Sequence, residues 1–556
     1  ISSAIIFIII YGFGFKVFDG FPRSVILIDL VLSFLLSAGF KISKRFYLEI
    51  MRQSIGRSDL KKTLIIGAGS SGEQVLRDIN RSETRKFLPV GFIDDDPLKL
   101  NLYMQGIKVI GTTEELAEII KQYKVESIII SVLTADRLFH RKILNLARVA
   151  GITDIKVIKT INDISNNVKV KVDDIRDIEV SDLIGRQAVS INTIIIGGYI
   201  RNKRILVTGA AGSIGSEISR QVLNYKPEEI AIIDINESDL ADLELELGNH
   251  FDKKKIKMYL CDVSDTQKVN KVFSDFKPDV VFHAAAYKHV PIMEKFPEEA
   301  VRVNIIGTHN LAIAAIKYKV SNFVLISTDK AVNPSSVMGV TKRIAEHVVT
   351  GEGIESDSNF VAVRFGNVIG SRGSALPIFL NQLKNGGPIT ITHPDMKRYF
   401  MTIPEAVALV LQAAATGNNG DIFVLDMGEP VKIIDLVRDL ILLHHLIPDK
   451  DIKIEYTGIR EGEKLYEEVL TAEEGVLSTS HDKIFKAKMF CTFNQSSIAE
   501  MINTFKNLNG HTSKEDLLTL FQTFVPTFSH VSDNQKISQV AVASEDNTFE
   551  GDKSWN

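Results

Sequence analysis

The stretch Lys203–Leu223, KRILVTGAAGSIGSEISRQVL, decides the fold of most of this chain. An apolar strand, Arg204–Thr208, runs straight into Gly209, Gly212 and Gly215, and a helical pattern follows. Glycines at that spacing let the backbone turn tightly. They also let a phosphate approach a helix N-terminus, whose first N–H groups have no partner of their own. A second strand, in EEIAIIDINES, ends at Asp234, roughly twenty residues on. A carboxylate there can accept both hydroxyls of an adenosine ribose and would repel a 2′-phosphate. Ile235, Asn236 and Glu237 follow and bring no Arg, so the pattern predicts NAD rather than NADP. CDVSD comes next, with Asp262 placed to touch the adenine edge. Strand Asp279–His283 then leads into Ala284, Ala285 and Ala286, small enough for a cofactor to lie close to the backbone. The expected cofactor set is Gly209, Gly212, Ser213, Ile214, Gly215, Asp234, Asp262, Val263 and the three alanines, joined below by Asn304 and Lys342.

A related signature stands upstream, in KKTLIIGAGSSGEQVLRDI. Strand Thr63–Ile66 meets Gly67, Gly69 and Gly72, and Asp94–Asp96 loosely supplies the distal acid. Further strands at Lys108–Ile110 and Ser127–Val132 predict a small α/β domain over 61–180. A lone GxGxxG is also what a helix needs merely to pack on a sheet, so the ligand of this domain stays open.

The 556 residues leave room for three to four domains at ~100–200 residues each. A net charge of −4 gives no reason to expect nucleic acid as a partner. Cys261 and Cys491 form neither a disulfide framework nor a zinc spacing, which points to a reducing compartment. His283 and His289 lack metal-ligating company, and no catalytic metal is expected. The N-terminus is apolar, with AIIFIIIYGFGF at 4–15 and SVILIDLVLSFLLSAGF at 24–40. These runs predict a transmembrane hairpin over 1–45, the remnant of a larger anchor, with Asp29 facing another helix rather than lipid. The basic linker over 46–60 would by the positive-inside rule set everything downstream in the cytoplasm. The polar stretch 527–556 is expected to be a disordered tail.

TGxxGxxG, HAAAYKHVPIME, STDKAVNP, a small-residue helix with Lys342 four residues after Met338, and VRFGNVIGSRGS together resemble the extended short-chain dehydrogenase/reductases. More narrowly, they resemble the UDP-N-acetylglucosamine 4,6-dehydratases of bacterial polysaccharide biosynthesis, the CapD-like group. DLIGRQ at 182–187 is similar to the segment that precedes the catalytic domain in long members of that group. The implied fold is α/β: N-terminal transmembrane helices, then two Rossmann-like, doubly wound parallel sheets. The second is an extended short-chain dehydrogenase domain over 181–526 with a small C-terminal substrate-binding part. The implied setting is the bacterial inner membrane, with the catalytic part cytoplasmic; the lipid bilayer and a homo-oligomer are the expected partners.

In the wider superfamily a Tyr and a Lys at i and i+4 share a helix face and do the acid–base work. Here the pair reads Met338 and Lys342, and a thioether carries no proton at useful pH. The resemblance implies oxidation at carbon 4 of UDP-N-acetylglucosamine, loss of water across carbons 5 and 6, and hydride return to carbon 6. It makes Asp329 the acid and Lys330 the base of the elimination, with Thr328 relaying the carbon-4 hydroxyl proton to water or to Asp329. The amine must lose a charge it holds at an ordinary pKa of ~10.4, and the acid must keep a proton near neutrality. The carry-over also assigns Lys288 to the sugar or a phosphate, Asn367 and Arg372 to the diphosphate, and Arg398, Arg460 and Glu463 to phosphate and uridine ribose. Asn304 falls where a buried Asn organises the active-site helix. A UDP-N-acetylhexosamine 4- or 5-epimerase is the alternative enzyme, and a non-catalytic NAD-binding scaffold the alternative of another class.

Overall fold

The apolar strands of the sequence assemble into two separate, mostly parallel sheets, seen here in a computed structural model. The structure describes residues 60–82, 86–132, 137–158, 175–183, 189–354, 356–468, 475–488, 493–508 and 513–530, with parts of a helix between 28 and 43. These fall into two compact units. The first carries a seven-stranded sheet in the order Tyr103–Met104, Ile107–Gly111, Phe87–Ile93, Lys61–Ile66, Ser127–Ile130, Asp154–Ile158, Ile175–Asp177. Helix Ser70–Arg81 follows its glycine loop and buries Val75, Leu76 and Ile79.

The second unit carries nine strands. Their order is Ile256–Leu260, Glu229–Asp234, Arg204–Thr208, Val280–His283, Asn322–Thr328, Asn359–Phe365, Ile422–Leu425, Ile484–Ala487, Val476–Ser478. The first seven run parallel, and the last two are antiparallel additions. The order reverses between Arg204–Thr208 and Val280–His283, and at such a switch point the loops diverge and leave a crevice beyond the carboxyl ends of the strands. Thr208 and His283 face each other across that seam. The His283 ring bonds Thr208 Oγ1 at 2.8 Å and Thr308 Oγ1 at 2.9 Å. Burial, with Lys342 nearby, pushes its pKa down to about 3, so this histidine is a neutral cross-link in the core.

Helix Val337–Gly353 packs on the middle of this sheet and is capped by Ser336, whose Oγ accepts the Gly339 N–H at 3.1 Å. A Cβ at Gly339 would fall 2.4 Å from the Lys330 carbonyl oxygen, so the helix can rest on the Asp329–Ala331 turn only with glycine there. Helices Gln495–Lys506 and Lys514–Phe524 cover its other face through Ile498, Met501, Phe505 and Phe521, each worth roughly 1.5–3 kcal/mol of burial. A smaller core beyond the sheet gathers Phe379, Ile389, Ile391, Met396, Phe400 and Ile433. Residues 527–530, read with the tail, are in place: Phe528 is buried and the Ser529 N–H donates to the Pro334 carbonyl. Residues 531–556 lie outside the described residues.

The N-terminal expectation is corrected. Among the described residues no helix is long and apolar enough to cross a membrane. The run over 24–40 carries Asp29 and falls short of the ~20 apolar residues that a hydrocarbon core demands. The fold is therefore α/β with Rossmann-like parallel sheets; transmembrane helices, and the bilayer contact inferred from them, are not supported. The first apolar run, at 4–15, and the basic stretch 46–59 lie outside the described residues.

Candidate active site

A cavity of about 640 Å³ opens at the switch point of the larger sheet. One end is walled by Gly209, Gly212, Ser213, Ile214, Gly215, Ala284 and Ala286. A Cβ at Gly209 would fall 2.6 Å from Ala285 N, and one at Gly215 would fall 2.1 Å from the Gly209 carbonyl oxygen. Backbone meets backbone here, and only glycine permits it. Helix Ser213–Asn224 starts at Gly212 with no side-chain cap, which leaves its first N–H groups for an anion. The Asp234 carboxylate accepts from the N–H groups of Ala211, Ile235 and Asn236 at 2.9, 2.8 and 3.0 Å and pairs with no cation among the described residues. An uncapped helix start beside an unneutralised strand-end carboxylate fits the pyrophosphate and ribose of a dinucleotide.

Asp262, read as an adenine contact, is engaged by Arg302 at 2.7 Å and by the Ser264 N–H at 2.8 Å. Val263 is buried behind it, where a Cβ at Gly307 would strike its side chain. Asn304 is fully buried in a π-helical turn, Val301–Gly307, of the kind that often re-aims side chains near functional sites. It accepts the Tyr287 N–H at 2.9 Å and donates to the Tyr287 carbonyl and to Thr341 Oγ1, tying the loop after the fourth strand to helix Val337–Gly353.

The other end of the cavity holds the ionisable cluster. Strand Asn322–Thr328 delivers Thr328 at its carboxyl end, and a tight turn over Asp329–Ala331 follows. Thr328 Oγ1 donates to Asp329 Oδ1 at 2.9 Å. Lys330 Nζ meets three acceptors: Asp329 Oδ1 at 3.1 Å, Asn367 Oδ1 at 3.2 Å and Glu467 Oε1 at 2.7 Å. Burial pushes the Asp329 pKa up to about 6, Lys330 opposes the rise and Glu467 adds to it. Asp329 Oδ2 has no donor while Glu467 lies against the same carboxyl, an arrangement that one shared proton satisfies. Burial works to lower the Lys330 pKa, but Asp329 and Glu467 outweigh it and hold the ammonium. Lys330, the base that the resemblance implies, is thus a charged group in this arrangement.

Met338 and Lys342 line the same wall, both buried. Lys342 Nζ donates to the Ile326 carbonyl at 2.8 Å, and burial lowers its pKa to about 8 against the opposing pull of Glu346. Beneath them, Arg364 and Glu346 form a wholly buried pair at 2.7 Å, with Ser327 donating to Glu346 at 2.6 Å.

The remaining expected contacts are gathered by two loops. Lys288 Nζ donates to the Arg372 carbonyl at 2.7 Å, and the Arg372 N–H donates to Ser213 Oγ at 3.0 Å. The Arg372 guanidinium meets Asp239, outside the cavity's ionisable end. Arg398 binds the carbonyls of Lys464 and Leu465 at 2.8 and 3.0 Å and the carboxylates of Glu463 and Glu467 at 3.4 and 3.2 Å. Arg460 and Glu463 line the cavity. Glu467 was missed by sequence reading: in EKLYEEV two acids adjoin, and an irregular loop has no period to say which one turns inward. One further trio, Glu294, Glu461 and His530, brings possible metal ligands within 4.8 Å of one another, but the Lys514 ammonium sits 3.2 and 3.0 Å from its carboxylates, where a cation would lie.

Comparisons with known proteins agree with this architecture. A family profile described as polysaccharide biosynthesis protein matches residues 205–489, and one described as CoA-binding domain matches residues 1–153. The capsular polysaccharide biosynthesis protein CapD of Staphylococcus aureus is 43% identical over 466 residues, 83% of this chain and 76% of that one. The probable polysaccharide biosynthesis protein EpsC of Bacillus subtilis is 44% identical over 445 residues, 80% of this chain and 74% of that one. A UDP-glucose 4-epimerase of Rickettsia canadensis is 37% identical over 280 residues, 49% of this chain and 79% of that one. With its glycine loop, strand-tip cluster and second core all inside the matched span, the chain belongs to the polysaccharide biosynthesis protein family.

Proposed function

We propose that the chain is a nucleotide-sugar-modifying enzyme that uses NAD to dehydrate UDP-N-acetylglucosamine to a UDP-4-keto-6-deoxy sugar. The observation that carries this reading is the Thr328–Asp329–Lys330 cluster, a hydroxyl and an amine each within 3.1 Å of one carboxyl, in one cavity with the glycine loop. A buried Met338 occupies the place of a phenol. A simple epimerase needs one acid–base group beside carbon 4, whereas loss of water needs a second pair reaching carbons 5 and 6.

The uncapped start of helix Ser213–Asn224, the Asp234 carboxylate and Lys342 would hold the dinucleotide, and the absence of a cation beside Asp234 among the described residues favours NAD over NADP. Bound there, it supplies a hydride acceptor for carbon 4 and a hydride donor for carbon 6. Thr328 takes the carbon-4 hydroxyl proton and passes its own to Asp329 along the 2.9 Å hydrogen bond. Asp329, now a carboxylic acid, gives that proton to the departing carbon-6 hydroxyl, which leaves as water. Lys330, having released its ammonium proton to solvent, takes the proton from carbon 5, returns it once carbon 6 is reduced, and regains its own proton from solvent. The substrate thus loses one water, and every side chain ends as it began. Freeing the Lys330 amine at pH 7 costs more than ~4.6 kcal/mol, the figure for an ordinary lysine, so the substrate must loosen its carboxylate partners as it enters. Lys288, Asn367, Arg372, Arg398, Arg460 and Glu463 are proposed to hold the UDP moiety and the sugar.

Incubation with UDP-N-acetylglucosamine and the mass of the product test this. Loss of one water is expected. The name of the Rickettsia relative favours a second reading, epimerisation, which predicts unchanged mass with altered stereochemistry.

A further inference from the structure

Glu467 is the residue on which this cavity's side chains converge. Its Oε1 lies 2.7 Å from Lys330 Nζ and 3.2 Å from Arg398 Nε, and its Oε2 accepts from Asn367 Nδ2 at 3.1 Å. The side chain is only 6% exposed. It joins three separate elements: the turn after strand Asn322–Thr328, the short strand Asn367–Val368, and the short strand Lys397–Arg398 that clamps the loop bearing Glu467. A carboxylate this deeply placed is stable only while its cationic partners stay in contact, so it fixes where they stand. We propose that Glu467 is a positioning residue for the loss of water: it fixes both the direction and the charge of Lys330 and couples them to the loop that carries Arg460 and Glu463. This rests on the dehydratase reading above.

The charged groups around Glu467 are known from every side: Asp329 and Lys330 from the strand-tip turn, Arg398 from its short strand, and Glu463, Lys464 and Glu468 from its own loop. Removing one negative charge from among them must ease proton loss from both Lys330 and Asp329. A residue that merely fills space would leave those titrations where they are.

The test is Glu467→Gln, nearly isosteric and uncharged, assayed with UDP-N-acetylglucosamine across pH. Three readouts are taken: product mass, solvent deuterium incorporated at carbon 5, and near-ultraviolet absorbance of the reduced nicotinamide. The pH profile of carbon-5 exchange is expected to move to lower pH by about one unit. With Lys330 no longer held in direction, elimination should lag behind oxidation and reduced cofactor should accumulate. An unmoved profile, whether kcat is kept or lost, overturns the proposal. Should the Gln variant not fold, Glu467→Asp carries the test: it keeps the charge, so the wild-type profile should persist with a lower kcat, and a displaced profile would overturn the idea. Wild type alone tests the reading underneath: no water lost by the unmodified enzyme brings down both, whereas water lost with an unmoved variant profile brings down only the role of Glu467.

Discussion

Two glycine loops in one chain have nearly the same backbone and different surroundings. In the first unit a Cβ at Gly72 would fall 2.1 Å from the Gly67 carbonyl oxygen; in the second, Gly215 stands at the same distance from Gly209. Both helices start without a side-chain cap, and both strand-end acids, Asp94 and Asp234, accept an N–H from the loop, from Ala68 at 2.7 Å and Ala211 at 2.9 Å. The difference lies opposite the loop. In the first unit Ser131 donates to the carbonyls of Ile66 and Gly67 at 2.8 and 2.9 Å, and Lys99 pairs with Asp94 at 3.0 Å. In the second unit Ala284, whose N–H donates to the Thr208 carbonyl as that of Ser131 does to Ile66, brings no hydroxyl, Asp234 meets no cation among the described residues, and the space continues to the strand-tip cluster. The glycine spacing thus sets the same meeting of helix and sheet in both units, while the residues across the gap differ.

The strongest way to break this contrast is by turnover. Asp329→Asn or Lys330→Met should lower product formation by ~10²–10⁴, and Asp94→Asn should leave it unchanged. Equal losses would mean that both loops serve the chemistry. The next effect is on stability. Glu346→Gln strands the Arg364 charge in the core and should cost ~3–5 kcal/mol in denaturant unfolding. Lys99→Ala breaks a half-exposed pair and should cost ~0–1 kcal/mol. The pH dependence has a sign for each group. Burial would raise Glu346, but Arg364 holds it at about 2, so its contribution is full above the ordinary carboxylate range and lost as pH falls toward 2. Asp329 is raised to about 6, so its contribution is present in acid and lost as pH climbs through 6.

Smaller effects sharpen the contrast further. Gly215→Ala and Gly72→Ala impose the same clash, and each should destabilise its own unit by ~1–3 kcal/mol in thermal unfolding. Only the former should release cofactor, measured by the nucleotide retained on purification. Smallest of all, Asp234→Asn should narrow the preference for NAD over NADP by about tenfold in binding titrations, roughly 1.4 kcal/mol, while Asp94→Asn leaves it alone.

Much of the fold could be read in advance because its signals are local. Strand Arg204–Thr208, its glycines and the acid at Asp234 lie within one span of sequence, and each constrains the next through backbone geometry. Thr328, Asp329 and Lys330 were legible for the same reason, as consecutive residues at a strand's end. The apolar N-terminal run misled because composition alone cannot separate a spanning helix from a shorter one. Glu467 and the Glu346–Arg364 pair were not legible: their partners lie 137 and 18 residues away in number, no period within a loop marks Glu467 as inward, and a charge on helix Val337–Gly353 or strand Asn359–Phe365 does not name its buried partner.

The sequence by itself determined two Rossmann-like units, the position of the glycine turns and the absence of a phenol at Met338. These follow from short-range sterics and from residue chemistry that no context alters. The tertiary structure alone decided that Asp94 pairs with Lys99 while Asp234 meets no cation among the described residues, and that two carboxylates, Asp329 and Glu467, hold Lys330 charged. Protonation and access depend on distances between segments remote in the chain, and those distances exist only once the sheet has brought its strand ends together.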